Sequence, residues 1–301
     1  MQDLTLLLKR LEVPTGMVDV VLDTDTYNEI DDQFALAYLL RSPEKLRAQA
    51  IYAAPFFNHR STGPADGMEK SYQEIHKVVD LVGAPEMKNR IFRGSTAYLP
   101  DEKTPVESPA ARDLVERALA HSPENPLYVV AIGAITNVAS ALLMEPRIVD
   151  RVVIVWLGGH AFEWPDTNEF NMMQDIAAAR VIFGSGAAVV QLPCNGVVSA
   201  FYTNRQELEY YLYDKNPLSD YLARNTVSYM GDPNRLWSKV IWDVTAVAWV
   251  LGDFMADRLA PAPIPQYDFH YSFDPNRHPI RYVWSVWRDK LYADLFVKLT
   301  R

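Results

Sequence analysis

Val18 to Leu40 reads VDVVLDTDTYNEIDDQFALAYLL. Val18, Val20, Val21 and Leu22 make a short, mostly β-branched apolar run, the pattern of a buried strand. The run ends in Asp23-Thr24-Asp25, and Asp31-Asp32 then open an apolar stretch (Phe34, Ala35, Leu36, Tyr38, Leu39) that predicts a helix. With Glu29 included, five carboxylates crowd one strand-to-helix connection. Like charges at that spacing repel, so protonation, hydration or a cation has to relieve them. Oxygen ligands from Asp are what a hard ion such as Ca²⁺ or Mg²⁺ takes. A helix cap accounts for Asp31 or Asp32, but a cap does not need five acids. The stretch predicts a metal site.

The same alternation continues outward. Leu46–Ala54 predicts a second strand, followed by a helix around Glu69–Val82, a short strand at Arg90–Arg93 and a helix at Pro109–Ala120 with Pro in its first turn. Leu127–Ile132 and Val152–Leu157 read as strands around a helix at Asn137–Met144. A helix at Asp175–Phe183 and a strand at Ala187–Leu192 follow. Strands this apolar, alternating with helices, predict an α/β fold: an open, mainly parallel twisted sheet with helices on both faces. Further helices are expected at Arg205–Tyr213, Leu218–Tyr229 and Val240–Leu251. A small antiparallel edge hairpin is expected within Ala260–Pro279, and a last helix at Trp284–Leu299. No linker or repeat divides the chain, so residues 1–301 read as one domain.

In such sheets ligands bind outside the carboxyl ends of the strands. Asp23 and Asp25 follow the first strand, Asn58 the second, and Thr136 and Asn137 the strand at 127–132. The loop from Gly158 to Asn171 follows the strand at 152–157. Glu169 and Asn171 sit two residues apart, so on an extended segment their side chains face one way. Amide and carboxylate groups converging on a pocket suit a polyhydroxylated ligand such as a sugar. Asn168 reads equally as a loop cap. Asp243 opens an apolar helix, where a lone Asp is ordinarily a first-turn acid. His160, beside Gly158-Gly159, is thin evidence for acid–base chemistry, and His76 reads as surface. The aromatic residues Tyr267, Phe269, Tyr271, Trp284 and Trp287 read as core or an oligomer contact.

Composition narrows the function classes. A formal charge of −9 disfavours a nucleic-acid backbone as partner. Cys194 is the single cysteine, which excludes an internal disulfide or thiolate cluster and suits a reducing compartment; it reads as buried and inert. The N-terminus lacks the pattern of a signal peptide, and no apolar run approaches the ~20 residues that span a bilayer. A soluble, cytoplasmic protein without membrane contact is expected.

Taken together the motifs resemble the nucleoside hydrolases of the inosine/uridine-preferring type, which cleave the N-glycosidic bond of ribonucleosides. The opening DTDPGIDDAxAL pattern of that family stands here as Asp23-Thr24-Asp25-Thr26-Tyr27-Asn28-Glu29-Ile30-Asp31-Asp32-Gln33-Phe34-Ala35-Leu36. Its G-P-L-T-N turn stands as Gly133-Ala134-Ile135-Thr136-Asn137, its G-G and E-F-N elements as Gly158-Gly159 and Glu169-Phe170-Asn171, and its late Asp as Asp243. The matches keep their order over most of residues 18–250. The resemblance implies a Ca²⁺ ion held by Asp25, Asp32, Asp243 and the backbone carbonyl of Thr136, with Asp25 also taking the proton of the water that attacks the anomeric carbon. It implies that Asp31, Asn58, Glu169 and Asn171 hold the ribose hydroxyls, that Asp23 supports the metal ligands from behind, and that the protein is a homo-oligomer, dimer or tetramer.

Three departures accompany the resemblance. The opening motif is two residues longer than usual around Tyr27-Asn28-Glu29. Glu163 stands where a ribose-binding Asn is expected, leaving Asn168 as the substitute. Trp242 stands where pyrimidine-accepting members carry His, which resembles the purine-preferring branch and implies stacking on a purine. Two rival readings stand beside this one. Strand-DxDxT is also the opening of haloacid-dehalogenase-like Mg²⁺ phosphohydrolases, with Asp23 as nucleophile, although the acidic pair then comes too soon. The other is a non-catalytic, metal-dependent sugar or nucleoside sensor.

Overall fold

The computed structural model describes residues 4–232 and 235–301. Its strands in chain order are β1 (Val18–Thr24), β2 (Leu46–Ala53), β3 (Ile91–Arg93), β4 (Leu127–Ala131), β5 (Val152–Leu157), β6 (Ala188–Leu192), β7 (Tyr202–Thr203), β8 (Lys239–Val240), β9 (Met255–Pro261), β10 (Ile264–Pro265), β11 (Tyr271–Ser272) and β12 (Pro279–Val286). Eight of them form one sheet in the order β3-β2-β1-β4-β5-β6-β12-β9. Every neighbouring pair is parallel except β12 and β9, which run antiparallel at the edge. The expected α/β sheet is there, and so is its antiparallel edge.

Burial explains why the strands read as continuous apolar runs. Alternate residues of β1 supply two separate hydrophobic clusters: Val20 and Leu22 enter one, Val21 the other. Helices α1 (Leu4–Arg10), α2 (Asp32–Leu40), α3 (Pro64–Val82), α8 (Arg205–Leu212), α9 (Pro217–Met230), α10 (Val244–Leu251) and α11 (Arg288–Leu299) serve the first cluster. On the opposite face α4 (Pro109–Leu119), α5 (Thr136–Met144), α6 (Phe170–Gln174) and α7 (Ile176–Gly184) serve the second. A sheet covered on both faces has no polar side, so no hydrophobic–polar alternation survives in its central strands.

The C-terminal third departs from expectation in three places. The edge hairpin is made by β9 and β12, which flank the Ala260–Pro279 segment rather than fill it; inside that segment lies only the short β10–β11 pair. Trp284 lies in β12, so the last helix begins at Arg288. Helix α10 begins at Val244, because Lys239 and Val240 pair with Thr203 and Tyr202 instead. Trp284 and Trp287 are 53% and 45% exposed, which removes them from the core. Among the described residues no helix is long and apolar enough to cross a membrane.

The strand order reverses direction between β1 and β4, since the chain builds β2 and β3 to one side and β5 and β6 to the other. A crevice opens at such a switch point, outside the carboxyl ends of the strands. Asn137, fully buried in α5, laces that point together. Its Nδ2 donates to Asp23 Oδ1 (2.7 Å) and to the Ala53 carbonyl, and its Oδ1 accepts from the Ser95 backbone N–H (2.7 Å) and hydroxyl (2.9 Å). Removing the amide strands several buried polar groups at once, and each costs on the order of 1–3 kcal/mol. Asn137→Ala is expected to lower the unfolding free energy by about 3 kcal/mol in a urea titration; a loss below about 1 kcal/mol would show that the lacing is dispensable.

Candidate active site

The connection from β1 to α2 delivers the acids to the crevice. Asp23 and Asp25 are fully buried, and Asp31 and Asp32 are 2% and 1% exposed. Asp243, 5% exposed, arrives from the start of α10. Carboxylate oxygens of Asp31, Asp32 and Asp243 lie within 4.8 Å of one another. Asp31 and Asp243 occupy N-cap positions by backbone geometry, but neither side chain caps its helix. Asp31 Oδ2 accepts from the Trp242 N–H instead (3.0 Å), and Asp32 Oδ1 accepts from the Thr24 hydroxyl (2.6 Å).

Both oxygens of Asp25 are buried without a hydrogen-bond partner. The turn after β4 closes over it: a Cβ added to Gly133 would meet Asp25 Cγ at 3.1 Å and Oδ1 at 3.2 Å. Thr136 starts α5 at the end of that turn, and its hydroxyl donates to Asp175 Oδ2 (2.6 Å). Burial pushes the Asp25 carboxyl well above its ordinary range, and Asp32 adds to the push. Burial, then Asp31, raises Asp32 to about 7; burial alone raises Asp23 to about 7 against the Asn137 hydrogen bond; Asp243 is driven well up by burial and by its three acidic neighbours. Lys239, 8% exposed, brings one positive charge, with Nζ 3.7 Å from Asp31 Oδ1. One ammonium does not balance four carboxylates, and both Asp25 oxygens are buried beside Asp32 without a donor to pair them. A hard divalent cation fits that donor set.

Above the acids lies a cavity of about 420 Å³. Of the residues singled out from the sequence, Asp31, Asp32, Asn58, Asn168, Glu169, Asn171, Trp242 and Asp243 line it; Asp23, Asp25 and Thr136 lie outside its lining. Glu169 and Asn171 face it for a different reason than expected. Glu169 is extended as expected, but Asn171 lies within α6, and Glu169 caps that helix, its carboxylate accepting from the backbone N–H groups of Gly159, Asn171 and Met172 at 2.8–2.9 Å. Asn171 Nδ2 donates to the Leu157 carbonyl (3.0 Å). Asn58 Nδ2 donates to Asn28 Oδ1 (2.6 Å), and Asn58 Oδ1 accepts from Arg60 N–H (2.8 Å). Glu163 is remote from the cavity, its side chain 74% exposed and 3.8 Å from Arg258.

Other lining residues went unread. Asn195 follows β6, so the rule placing ligands at strand ends could have found it, and His160 and Cys194 flank it. His160 Nδ1 accepts the Asn195 backbone N–H (3.2 Å), Nε2 lies 3.3 Å from the Asn195 side-chain amide nitrogen, and burial lowers the ring's pKa. Cys194 is buried as expected, and also faces the cavity. Tyr229 comes from the end of α9, where nothing in the sequence marks it.

The model of the inosine-uridine preferring nucleoside hydrolase family matches residues 20–266. The chain belongs to that family. It is accordingly an enzyme of ribonucleoside N-glycosidic bond hydrolysis. An inosine-uridine preferring nucleoside hydrolase of Leishmania major is 36% identical over 94 residues, 30% of each chain. The pyrimidine-specific ribonucleoside hydrolase RihA of Salmonella paratyphi A is 25% identical over 77% of this chain and 79% of its own length. A plant nucleoside hydrolase structure superposes with a TM-score of 0.75 at 20% identity, over 94% of this chain and 99% of that one, which shows the shared fold. The phosphohydrolase reading of Asp23 yields to the family match, and the Asp23 carboxylate is committed to the Asn137 amide.

The raised acids predict an unusual pH dependence for the cation-free protein. Above about pH 4 the unfolded chain has released the Asp23 and Asp32 protons that the folded protein keeps up to about pH 7. Folding is therefore favoured below about pH 4 by these two groups, and that contribution is lost as pH rises to about 7. Thermal unfolding in chelator is expected to give a lower midpoint at pH 8 than at pH 5. Equal midpoints would mean that these carboxylates ionise freely in the fold.

Proposed function

We propose that the enzyme uses a Ca²⁺ ion at the floor of this cavity and leans toward purine ribonucleosides. The supporting observation is the unpartnered carboxylate of Asp25 beside the clustered oxygens of Asp31, Asp32 and Asp243. Asp25, Asp32, Asp243 and the Thr136 carbonyl would hold the ion, and an ion bound there acidifies and orients water. Asp25, with both oxygens open, takes a proton from the attacking water as it approaches the anomeric carbon. Asp23, held by Asn137, supports the same loop from behind.

The remaining lining residues position the sugar. Three backbone N–H groups fix the Glu169 carboxylate, which keeps lone pairs for a hydroxyl donor. Asn171 has its amide N–H committed to Leu157 and so presents Oδ1 as an acceptor. Asp31, Asn58 and Asn168 complete the polar wall. Hydroxyl contacts that tighten as the ring flattens toward an oxocarbenium ion stabilise the transition state over the ground state. Trp242 offers a face for the base, and a purine presents more ring area to stack than a pyrimidine does.

The test is ribose release from a panel of ribonucleosides. Chelator is expected to abolish release and Ca²⁺ to restore it, and Asp25→Asn is expected to lower kcat by at least about 100-fold, as loss of a positioned base does. Release that survives both would rule out this site. Inosine is expected to be the better substrate than uridine, with Trp242→Ala narrowing the gap; uridine cleaved as readily as inosine would remove the purine leaning.

A further inference from the structure

Glu29 lines the same cavity but stands at its mouth: its side chain is 36% exposed, against 3% for Asp31 below it. It is held there from several directions. Oε2 takes the Lys239 ammonium at 2.5 Å and Oε1 the Tyr229 hydroxyl at 3.3 Å. The Glu29 backbone carbonyl accepts from Arg60 Nη1 (3.1 Å), and the Arg60 guanidinium lies over the Tyr27 ring, 4.4 Å from its centroid. A surface glutamate samples many rotamers; this one is fixed by a lysine that is itself nearly buried. Two donors leave part of the acceptor capacity of a carboxylate unused, and Tyr229 and Trp242, both lining the cavity, add aromatic surface beside it.

We propose that Glu29 is a specificity-determining residue that reads an exocyclic amine on the nucleobase. The inference rests on the sugar lying on the acidic floor, which leaves the base at the level of Trp242, Tyr229 and Glu29. An ionised carboxylate only accepts hydrogen bonds, so it pairs with the amine of adenine or cytosine and repels the carbonyl oxygen at the same ring position in hypoxanthine or uracil. The enzyme therefore prefers adenosine to inosine and cytidine to uridine, whichever ring size it handles better.

The experiment compares kcat/KM within each pair, for the native enzyme and for Glu29→Gln. A ratio taken on one preparation cancels any loss of folded protein. Each ratio is expected to be about tenfold in favour of the amine in the native enzyme and to fall toward one in Glu29→Gln, whose amide serves a carbonyl as well as an amine. Native ratios near one, or ratios that Glu29→Gln leaves unchanged, would overturn the proposal. Calorimetric binding of adenine against hypoxanthine, with no bond to cleave, separates this from the catalytic reading. Tighter adenine binding that Glu29→Gln abolishes supports the base reader even if the Asp25 and chelator tests fail; equal binding of the two bases in an enzyme whose turnover ratios are also near one overturns it while leaving those tests untouched.

Discussion

Four carboxylates, from Asp25, Asp31, Asp32 and Asp243, are packed out of water where the start of α10 meets the β1–α2 connection. The rest of the molecule is shaped by that arrangement. Withdrawing a single carboxylate from water costs several kcal/mol unless it is paired or protonated, and neighbouring like charges raise the cost. Lys239 offsets part of it from one side, and burial together with the neighbouring acids raises the pKa of Asp25 and Asp32. The same strain makes the floor receptive to a divalent ion. Binding affinity for such an ion is stored in the apo fold as unfavourable electrostatics.

Holding charges in that state requires a scaffold that does not relax, and the hydrogen bonds around the acids supply it. Thr24 fixes Asp32, the Trp242 backbone fixes Asp31, and Asn137 fixes Asp23 while tying the ends of β1 and β2 to α5. Glycine at 133 lets the β4 turn close over Asp25, where any side chain would press on the carboxylate. Glu169 shows how one residue serves both ends: capping α6 freezes its rotamer, and the frozen carboxylate is then available to the cavity. Asp31 and Glu169 take backbone N–H donors, which cannot reorganise without moving the turns that carry them.

Local chemistry was legible in the chain because it depends on neighbours in sequence. The β-branched run before Asp23, the apolar run after Asp32, and the turn residues after each strand place the acids and amides at one edge of a parallel sheet without any knowledge of its topology. The C-terminal third resisted the same treatment. Tyr282-Val283-Trp284 is as compatible with a helix as with a strand, and its pairing between β6 and β9, far away in sequence, settles the matter. Likewise Val240, read as the start of a helix, pairs with Tyr202 beside the Lys239–Thr203 pair.

By itself, then, the sequence determined the alternation of strands and helices, the family, and most of the residues that face the crevice, since each follows from local periodicity or from motif order. Only the tertiary structure decided which of those acids meet. Asp243 joins Asp31 and Asp32 because α10 is laid against α2. Tyr229 and Lys239 reach the mouth of the cavity from the far end of the chain, and Glu163, close in sequence to Glu169, is turned away from it. Distance along a chain carries no information about contacts made through a packed core, and charge balance in a site is a property of those contacts.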